Sequence, residues 1–566
     1  MPVVKKRRLQ DDCYNQTNLK RDKRDHAESR KSHIDHLPEE LMVLILDCLD
    51  EGSPRSRIDQ PDRMRHLKAF HSLCLTCRKL NRLAKPYLYS TIMNEIRYDA
   101  RERLEFLSIH ASIDRLVLDD KVADGIKRIS WVHITYGGST YYRNALSAVK
   151  LKFFQKLGTL GIPELAGELR KSFDADGSKD HLAALLVLTR NLEYLEVLTV
   201  YVAYGHSPDL TWLDLLQLST CAPGLISHFQ HLHHVRLGMD GLKIIQIGPL
   251  LRLVSLRTLS IQGADQYEEE LSVDLDQIFG KQCSAIETLI MENSRIESDT
   301  IASILAAIKR LKVLKLEFSS LSRTLNDEWL FDPVPQIPPD CWTTLSEALL
   351  AHKDSLEQLY IINRQWHALE DDIDHPDNLR GRGALIGMSN LHKLRYLDTG
   401  LSPFCDPSEG NLSEAVDFSD MLPANLEHLV ISVEGLPEPF DLRNSSIQKT
   451  LLELARVCGS KAHSLKGIVV WLPHDHDELC ALDFEACKAA FERLNINLIV
   501  MCCYDFEWLM YPFNKEIVSE RSSGFIGRPA PDMVRVGEWR PPWRFQGACK
   551  AYHHPYEWSI IDSRRK

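Results

Sequence analysis

The sequence contains no long apolar segment. Uninterrupted apolar runs such as Leu498 to Cys503 are far shorter than the roughly 18 residues that span a bilayer. The chain is charged from Lys5 onward and does not start with the apolar stretch of a secretory signal. We therefore expect a protein that does not contact membranes and that works in a reducing compartment, in the nucleus, the cytoplasm or both.

The usual signatures of catalysis are also missing. There is no Gly-rich loop followed by Lys-Ser or Lys-Thr, and no Gly-x-Ser-x-Gly nucleophile elbow. The nearest dinucleotide-like string, Gly381-Arg382-Gly383 with Gly387, has the wrong third spacing and follows a Pro/Asp-rich loop rather than a strand. We expect a protein that is not an enzyme and that carries no cofactor.

Metal-binding patterns are incomplete. The 14 cysteines are scattered, and the close pair Cys74/Cys77 has no second pair at the spacing of a structural zinc site. The string from His474 to Glu478 contains two His and three acidic residues and resembles part of the ligand string of metallo-β-lactamase-like proteins, but the further donors are absent. A solvated loop is the simpler interpretation of this segment. A hydrolase that uses it is a weaker hypothesis for the function than the two given at the end of this subsection.

Length and charge indicate several domains or repeats. The chain has 566 residues, of which 44% are hydrophobic and 26% charged. This length is greater than that of a domain with one compact core. Residues 1–31 contain ten Lys and Arg against five Asp and Glu, so the net charge of this segment is +5. Since the net charge of the whole chain is −11, that of the remaining residues is −16. An acidic body argues against nucleic acid as a partner.

The basic residues near the start form two clusters separated by eleven residues: Lys5, Lys6, Arg7 and Arg8, then Lys20, Arg21, Lys23 and Arg24. This arrangement resembles a bipartite nuclear localisation signal, which implies binding to an import receptor. The alternative is a solvated leader. In both cases we expect residues 1–33 to be a disordered basic tail.

Two helical patterns follow. Leu37, Leu41, Ile45 and Leu49 recur at helical spacing, and Leu44 and Cys48 widen the same stripe. A second helical run is predicted from Leu67 to a stop at Pro86. A module of about fifty residues has more apolar surface than it can bury alone.

These residues carry a family resemblance. The string Leu37-Pro38-Glu39-Glu40-Leu41, followed by Ile45-Leu46 and later by Leu73 to Leu80 with Pro86 and Leu88-Tyr89, resembles an F-box of the fungal type. The seventeen residues between the two helical runs, 50–66, are more than this family usually has. The alternative is a helical cap on a larger domain. The resemblance assigns residues 34–90 to an F-box, with Leu37, Pro38, Leu41, Ile45 and Leu75 as the residues that bind a Skp-type adaptor subunit.

A spaced pattern then repeats along the chain. Apolar residues stand at positions 1, 4 and 6 of copies that begin at Ile126, Leu192, Leu232, Leu256, Ile286, Leu311, Leu356, Leu394, Leu426 and Leu465, of which the Leu394 copy is degraded. From Leu192 onward the copies are 24 to 45 residues apart, and the shortest steps match the roughly 20–29 residues of a leucine-rich repeat.

Each copy can form one short strand buried on one face. Helical patterns lie between copies, such as Ile301 to Ile308 and Leu451 to Cys458. A strand and its returning helix must stack on their neighbours to bury both faces. The pattern resembles an irregular leucine-rich-repeat solenoid with a curved parallel sheet, over residues 91–505. An ordinary α/β domain with parallel strands is the alternative.

Two further kinds of segment remain. Long polar insertions, 319–339, 363–383 and 401–420, are expected on one rim of the solenoid. Residues 506–566 lack the period and contain four of the ten tryptophans, so we expect an irregular extension that partly caps the last repeat.

The resemblance implies a function. An F-box followed by leucine-rich repeats would act as the substrate adaptor of an SCF-type E3 ubiquitin ligase, joined through the Skp-type subunit to a cullin. An interaction scaffold outside ubiquitination is the alternative. Strand residues at positions 3 and 5, and at 7 in longer strands, point away from the apolar ones, and from them we choose Arg236, Tyr360, Tyr396 and Trp471 as substrate-binding residues. The sequence does not identify the protein substrate.

Overall fold

The computed structural model describes 37–51, 60–94, 116, 119–135, 154–155, 181–201, 212–213, 215–216, 229–239, 243–264, 266, 274–294, 296–319, 341–364, 385–400, 418, 422–432, 446–461, 464–472 and 484–502. The chain divides into two compact units, Met1–Leu88 and Tyr89–Lys566. None of the described helices is long and apolar enough to cross a membrane.

The described residues of the first unit form three helices, α1 (Glu39–Glu51), α2 (Gln60–Thr76) and α3 (Arg78–Tyr89). The single run predicted after Leu67 is therefore wrong in two respects. It is divided at Cys77, whose sulfur accepts a hydrogen bond from the Leu80 N–H at 3.4 Å and so acts as an N-cap for α3. Pro86 does not end α3, which continues through it to Tyr89.

The core of this unit is small and partly aromatic. Leu46, Phe70, Cys74 and Ala84 are buried together, and the ring of Phe70 stacks on Tyr87 with centroids 5.5 Å apart. Since α2 begins at Gln60, the separation between α1 and the next helix is eight residues, 52–59, which is shorter than the helical pattern indicates.

The second unit contains a sheet of twelve strands in the order of the chain. All eleven neighbouring pairs are parallel. The strands are β1 (Thr91–Asn94), β2 (Arg128–Thr135), β3 (Tyr194–Tyr201), β4 (His234–Met239), β5 (Thr258–Gln262), β6 (Thr288–Ser294), β7 (Val313–Ser319), β8 (Gln358–Arg364), β9 (Tyr396–Gly400), β10 (His428–Ser432), β11 (Gly467–Leu472) and β12 (Asn497–Cys502).

The predicted parallel sheet is thus confirmed. The ten copies of the sequence pattern coincide with β2 to β11, including the degraded copy that begins at Leu394, which forms β9. The repeated pattern did not predict β1 and β12. β1 has only four residues, and β12 lies in an apolar run in which apolar and polar residues do not alternate.

Helices connect several of the strands. They are α4 (Asp120–Asp124), α5 (His181–Leu188), α6 (Gly248–Leu251), α7 (Leu275–Phe279), α8 (Ser298–Ala307), α9 (Cys341–Leu350), α10 (Ser446–Lys461) and α11 (Glu485–Glu492), with 3₁₀ turns at Ile244–Ile247 and Met388–Asn390. The two helical segments predicted from the sequence lie in α8 and α10.

The two faces of the sheet have different surroundings. Residues at positions 1, 4 and 6 of all ten copies are at most 5% exposed, and the apolar ones form one core with the helices. Positions 3, 5 and 7 point to the opposite face, which we call the open face. Burial of one strand face is what the two-residue period requires.

Position 2 forms a ladder of charged residues where the chain enters each strand, and acidic and basic members alternate except at His233. From β2 to β11 its members are Lys127, Glu193, His233, Arg257, Glu287, Lys312, Glu357, Arg395, Glu427 and Lys466, and from Glu193 onward the N–H of each donates to the carbonyl of the member before it. Lys127 and Glu193 are 3.0 Å apart, and Lys312 and Glu287 are 2.6 Å apart. Opposite charges on adjacent strands favour this strand pairing.

Candidate functional site

Helix α1 has apolar residues on both its inner and outer sides. Met42 and Leu46 are buried, whereas Leu41, Leu44 and Ile45 are 47%, 57% and 50% exposed. The sequence analysis placed Leu41, Ile45 and Leu49 on one stripe, but the structure separates them, since Leu49 packs against the core. An apolar patch left exposed on a packed helix is the usual mark of a binding surface.

The other predicted adaptor-binding residues are also accessible. Leu75, near the end of α2, is 73% exposed. Pro38 is exposed and Leu37 is half-buried. We call Leu41, Leu44 and Ile45 the outer face of α1. Leu44 was not among the predicted binding residues, although the helical pattern places it on the same stripe as Leu41 and Ile45.

Polar contacts hold α1 against α3. Lys79 Nζ donates to the Leu37 carbonyl at 3.0 Å. Arg82 pairs with Glu39 in the first turn of α1, and Tyr87 Oη donates to Asp47 Oδ1 at 2.5 Å. These contacts lie at both ends of α1, so the helix keeps its outer face turned away from the core.

On the open face, two tyrosines that were predicted to bind substrate are buried. Tyr360 in β8 and Tyr396 in β9 do point away from the helices, but they are only 2% and 8% exposed. They form a cluster with Val430 and Val469 that is separate from the main core. In this structure they pack within the protein rather than presenting a surface to a substrate.

Arg236 is half-buried and forms an ion pair with Glu196. Its NH1 donates to Glu196 Oε1 at 2.9 Å, and Ser130 Oγ donates to Glu196 Oε2 at 2.6 Å. These three residues occupy position 5 of β2, β3 and β4. Trp471 lies in β11, and its side chain is outside the described residues.

The sequence analysis missed a polar cluster in the middle of the open face. Lys315 Nζ lies 2.6 Å from Glu292 Oε1 and 3.4 Å from Glu317 Oε2, and the three side chains are at most 9% exposed. Gln262 is in register with Glu292 on the neighbouring strand. Its Oε1 is buried without a hydrogen-bond partner in the described part of the chain. We call Gln262, Glu292, Lys315 and Glu317 the acceptor cluster.

A signal for this cluster is present in the sequence. Lys315 stands at position 5, and the other three stand at position 7, where polar residues follow the last apolar residue of the pattern. Their burial could not be foreseen, because exposure on this face depends on side chains of neighbouring strands that the pattern of a single strand does not describe.

The remaining predictions lie largely outside the described residues. These include the basic clusters of residues 1–31, the His474–Glu478 string, the extension 506–566 and most of the three long insertions. Within the described ranges, no group of three or more His, Cys, Asp or Glu residues is arranged to hold a metal ion.

No protein-family model matches this sequence, and no curated protein matches it. Its described residues form a mixed α/β protein with three helices in the first unit and a twelve-stranded parallel sheet in the second.

Proposed function

We propose that this chain is a substrate-recognition adaptor of an SCF-type E3 ubiquitin ligase. The first unit would act as an F-box that binds a Skp-type subunit and, through it, a cullin. The unit that contains the sheet would act as a leucine-rich-repeat solenoid that binds the protein substrate. The covalent chemistry would belong to other subunits, and this chain would raise the effective concentration of the substrate near them.

The outer face of α1 carries this proposal. A helix that buries Met42 and Leu46 while leaving Leu41, Leu44 and Ile45 exposed has a second apolar side available for a partner. Interfaces of this kind place apolar side chains at their centre and polar ones at the rim. Glu39 and Glu40, both exposed in the first turn, would belong to that rim.

The sequential order of the sheet supports the solenoid part of the proposal. Each strand pairs with its neighbours in the chain, without the reversal of a doubly wound sheet. Contacts between neighbouring strands and helices are those that stacked repeats require.

The test is co-expression of the full chain with a Skp-type subunit. The wild-type chain should recover the subunit, and Leu41→Ser with Ile45→Ser should abolish recovery, because both changes place hydroxyls at the centre of the apolar contact. The matched control is Leu452→Ser with Val254→Ser, since these side chains are 41% and 76% exposed in the other unit. Equal recovery with all three proteins would exclude the F-box assignment.

A scaffold that acts outside ubiquitination is the second hypothesis, and the same preparation distinguishes it. A ligase adaptor should bring the cullin with the Skp-type subunit, and its substrate should accumulate when the proteasome is blocked. Recovery of the Skp-type subunit without the cullin would favour the scaffold.

Nuclear import is proposed separately from the basic clusters. A reporter fused to residues 1–31 should concentrate in the nucleus. Its nuclear accumulation should decrease when either cluster is neutralised. A uniformly distributed reporter would mean that this segment is only a solvated leader.

A further inference from the structure

Four apolar side chains on the open face of β8 to β11 form a cluster of their own, which we call the open-face core: Tyr360, Tyr396, Val430 and Val469. Their exposed fractions lie between 0% and 8%. Side chains stand roughly perpendicular to a sheet, so neighbours on the same face shield their flanks but not their outer ends. Such complete burial therefore requires a layer on the outer side.

The same face is less buried elsewhere. Ile290, at position 5 of β6, is only half-buried, whereas Val430, at position 5 of β10, is fully buried. Both residues are β-branched and apolar, so the difference comes from their surroundings. The described residues that pack against the open-face core, Val313 and Ile499, belong to the same sheet. The covering layer must therefore come from chain beyond the described residues.

The open-face core surrounds a carboxylate. Asp398 is in register between Tyr360 on β8 and Val430 on β10, and it is 1% exposed. A charged group at this depth needs charged or hydrogen-bonding partners. A layer that fits these strands should therefore combine apolar side chains with N–H donors, and a cationic donor gives the stronger hydrogen bond.

Composition separates the segments that could supply this layer. The segments after β8, β9 and β10, which are 365–384, 401–417 and 433–445, contain five, four and three acidic residues against two, none and one basic. Their negative charge disfavours contact with Asp398. Residues 503–566 contain ten basic and eight acidic residues, together with four of the ten tryptophans.

One string of residues 503–566 has both required features. Residues 539–544, Trp-Arg-Pro-Pro-Trp-Arg, contain two Trp, two Arg and no acidic residue. The two prolines favour a polyproline II conformation. Since this conformation has about three residues per turn, Arg540 and Trp543 should project to the same side.

The connecting chain is long enough. Trp539 is 37 residues beyond Cys502, the last residue of β12, and a chain of this length extends to roughly 120 Å. β12 and β9 are three strands apart in the sheet, which is about 15 Å. Residues 539–544 can therefore reach Asp398 without strain in the connection.

We propose that residues 539–544 bind across the open face of β8 to β11 in the same chain, with Trp543 on the open-face core and Arg540 paired with Asp398. This contact closes the face of these strands, so that a partner that binds there must first displace the segment. The inference goes beyond the proposed function and does not depend on it.

A fluorescent peptide of residues 535–548 tests this by fluorescence anisotropy with the full chain. The wild type should bind it weakly, because its own segment competes at a high effective concentration. Arg540→Gln with Trp543→Ala in the full chain should vacate the face and strengthen peptide binding at least about tenfold. The matched control, Arg528→Gln with Trp558→Ala, should bind the peptide as weakly as the wild type.

Variants of the peptide locate the contact without altering the folded chain. On the vacated chain, Arg540→Gln in the peptide should weaken binding about tenfold, which corresponds to loss of one hydrogen bond between charged groups. Arg544→Gln in the peptide is the matched control and should bind like the unchanged peptide. Adding Asp398→Asn to the vacated chain should remove the difference between the two peptide variants.

Equal binding of the peptide to the wild type, the vacated chain and the control chain would overturn the proposal, as would equal losses for the two peptide variants. A vacated chain that binds no peptide would also overturn it and would show that another segment or a second copy covers these strands. If the vacated chain does not fold, as judged by circular dichroism, Arg540→Glu alone replaces it. The assay contains no Skp-type subunit, so its outcome is independent of that for the outer face of α1.

Discussion

The rings of Tyr360 and Tyr396 lie 4.9 Å apart, with an angle of 33° between their planes, on the side of the sheet opposite to the helices. Tyr396 is in register with Gln358, so the two tyrosines are diagonal neighbours on adjacent strands. Diagonal pairs are within reach of aromatic side chains. Tyr360 Oη also donates to Gln358 Oε1 at 3.2 Å. This pair, with Val430 and Val469, forms a second, smaller core.

Tyr360→Ala should therefore destabilise the protein strongly. Truncation of a buried aromatic side chain costs about 3–5 kcal/mol because it removes apolar burial and leaves a cavity. Tyr360→Phe should cost about 1 kcal/mol, the usual net contribution of one hydrogen bond. Urea denaturation followed by circular dichroism measures both. A loss below about 0.5 kcal/mol in Tyr360→Ala would mean that this face is solvated.

The two sides of α1 should respond differently to the same substitution. Leu46→Ala should reduce the local free energy of unfolding by about 2–5 kcal/mol, because Leu46 is 2% exposed. Leu44→Ala should change it by less than about 0.5 kcal/mol, because its side chain is 57% exposed. Hydrogen exchange of peptides that cover 39–51 in the full chain measures this difference, and equal effects would contradict the inner and outer assignment.

A double-mutant cycle can measure the coupling energy of the first pair of the charge ladder. Lys127 and Glu193 are 54% and 42% exposed, so their coupling energy should be about 0.2–1 kcal/mol. Lys127→Glu or Glu193→Lys alone should lower stability, and the exchanged double variant should recover most of it. In about 1 M NaCl the screening length falls to ~3 Å, and the coupling should largely disappear. A coupling that persists in salt would show that it is not electrostatic.

His352 should make stability depend on pH. It is 2% exposed, its Nε2 lies 3.1 Å from the Leu305 carbonyl, and its Nδ1 has no hydrogen-bond partner among the described residues. Burial lowers the pKa of His352 below its usual value, and the Leu305 carbonyl opposes this only in part. The folded state therefore holds the imidazole neutral.

The direction of the effect follows from proton linkage. A histidine whose pKa is lower in the folded state binds fewer protons there, so its contribution is present above the unfolded pKa of about 6.5 and is lost as the pH falls below it. His352→Gln keeps a donor for Leu305 but cannot titrate. Urea midpoints should therefore fall more steeply with acid in the wild type than in the variant. Parallel pH profiles would contradict the assignment. His234 and His428, whose pKa values burial also lowers, are present in both proteins and cancel.

Periodicity along the chain was sufficient to predict ten of the described strands and the residues on their buried side. Apolar residues at positions 1, 4 and 6 predict β2 to β11 and their buried side, because alternation on a strand fixes which side chains share a face. The sequence alone also determined which residues of α1 are apolar. The charge ladder is readable at position 2 once the copies are aligned.

The burial of several described residues outside that pattern depends on how the elements pack together. The helical stripe read from the sequence contained Leu41, Leu44 and Leu49 but not Leu46, and only the packing with Phe70 shows that Leu46 is buried. Periodicity placed Tyr360 and Tyr396 on the open face correctly but could not show that Val430 and Val469 would enclose them, since these come from later strands. The acceptor cluster likewise depends on contacts between β5, β6 and β7, because each strand contributes one or two of its four side chains and burial is a property of the assembled sheet.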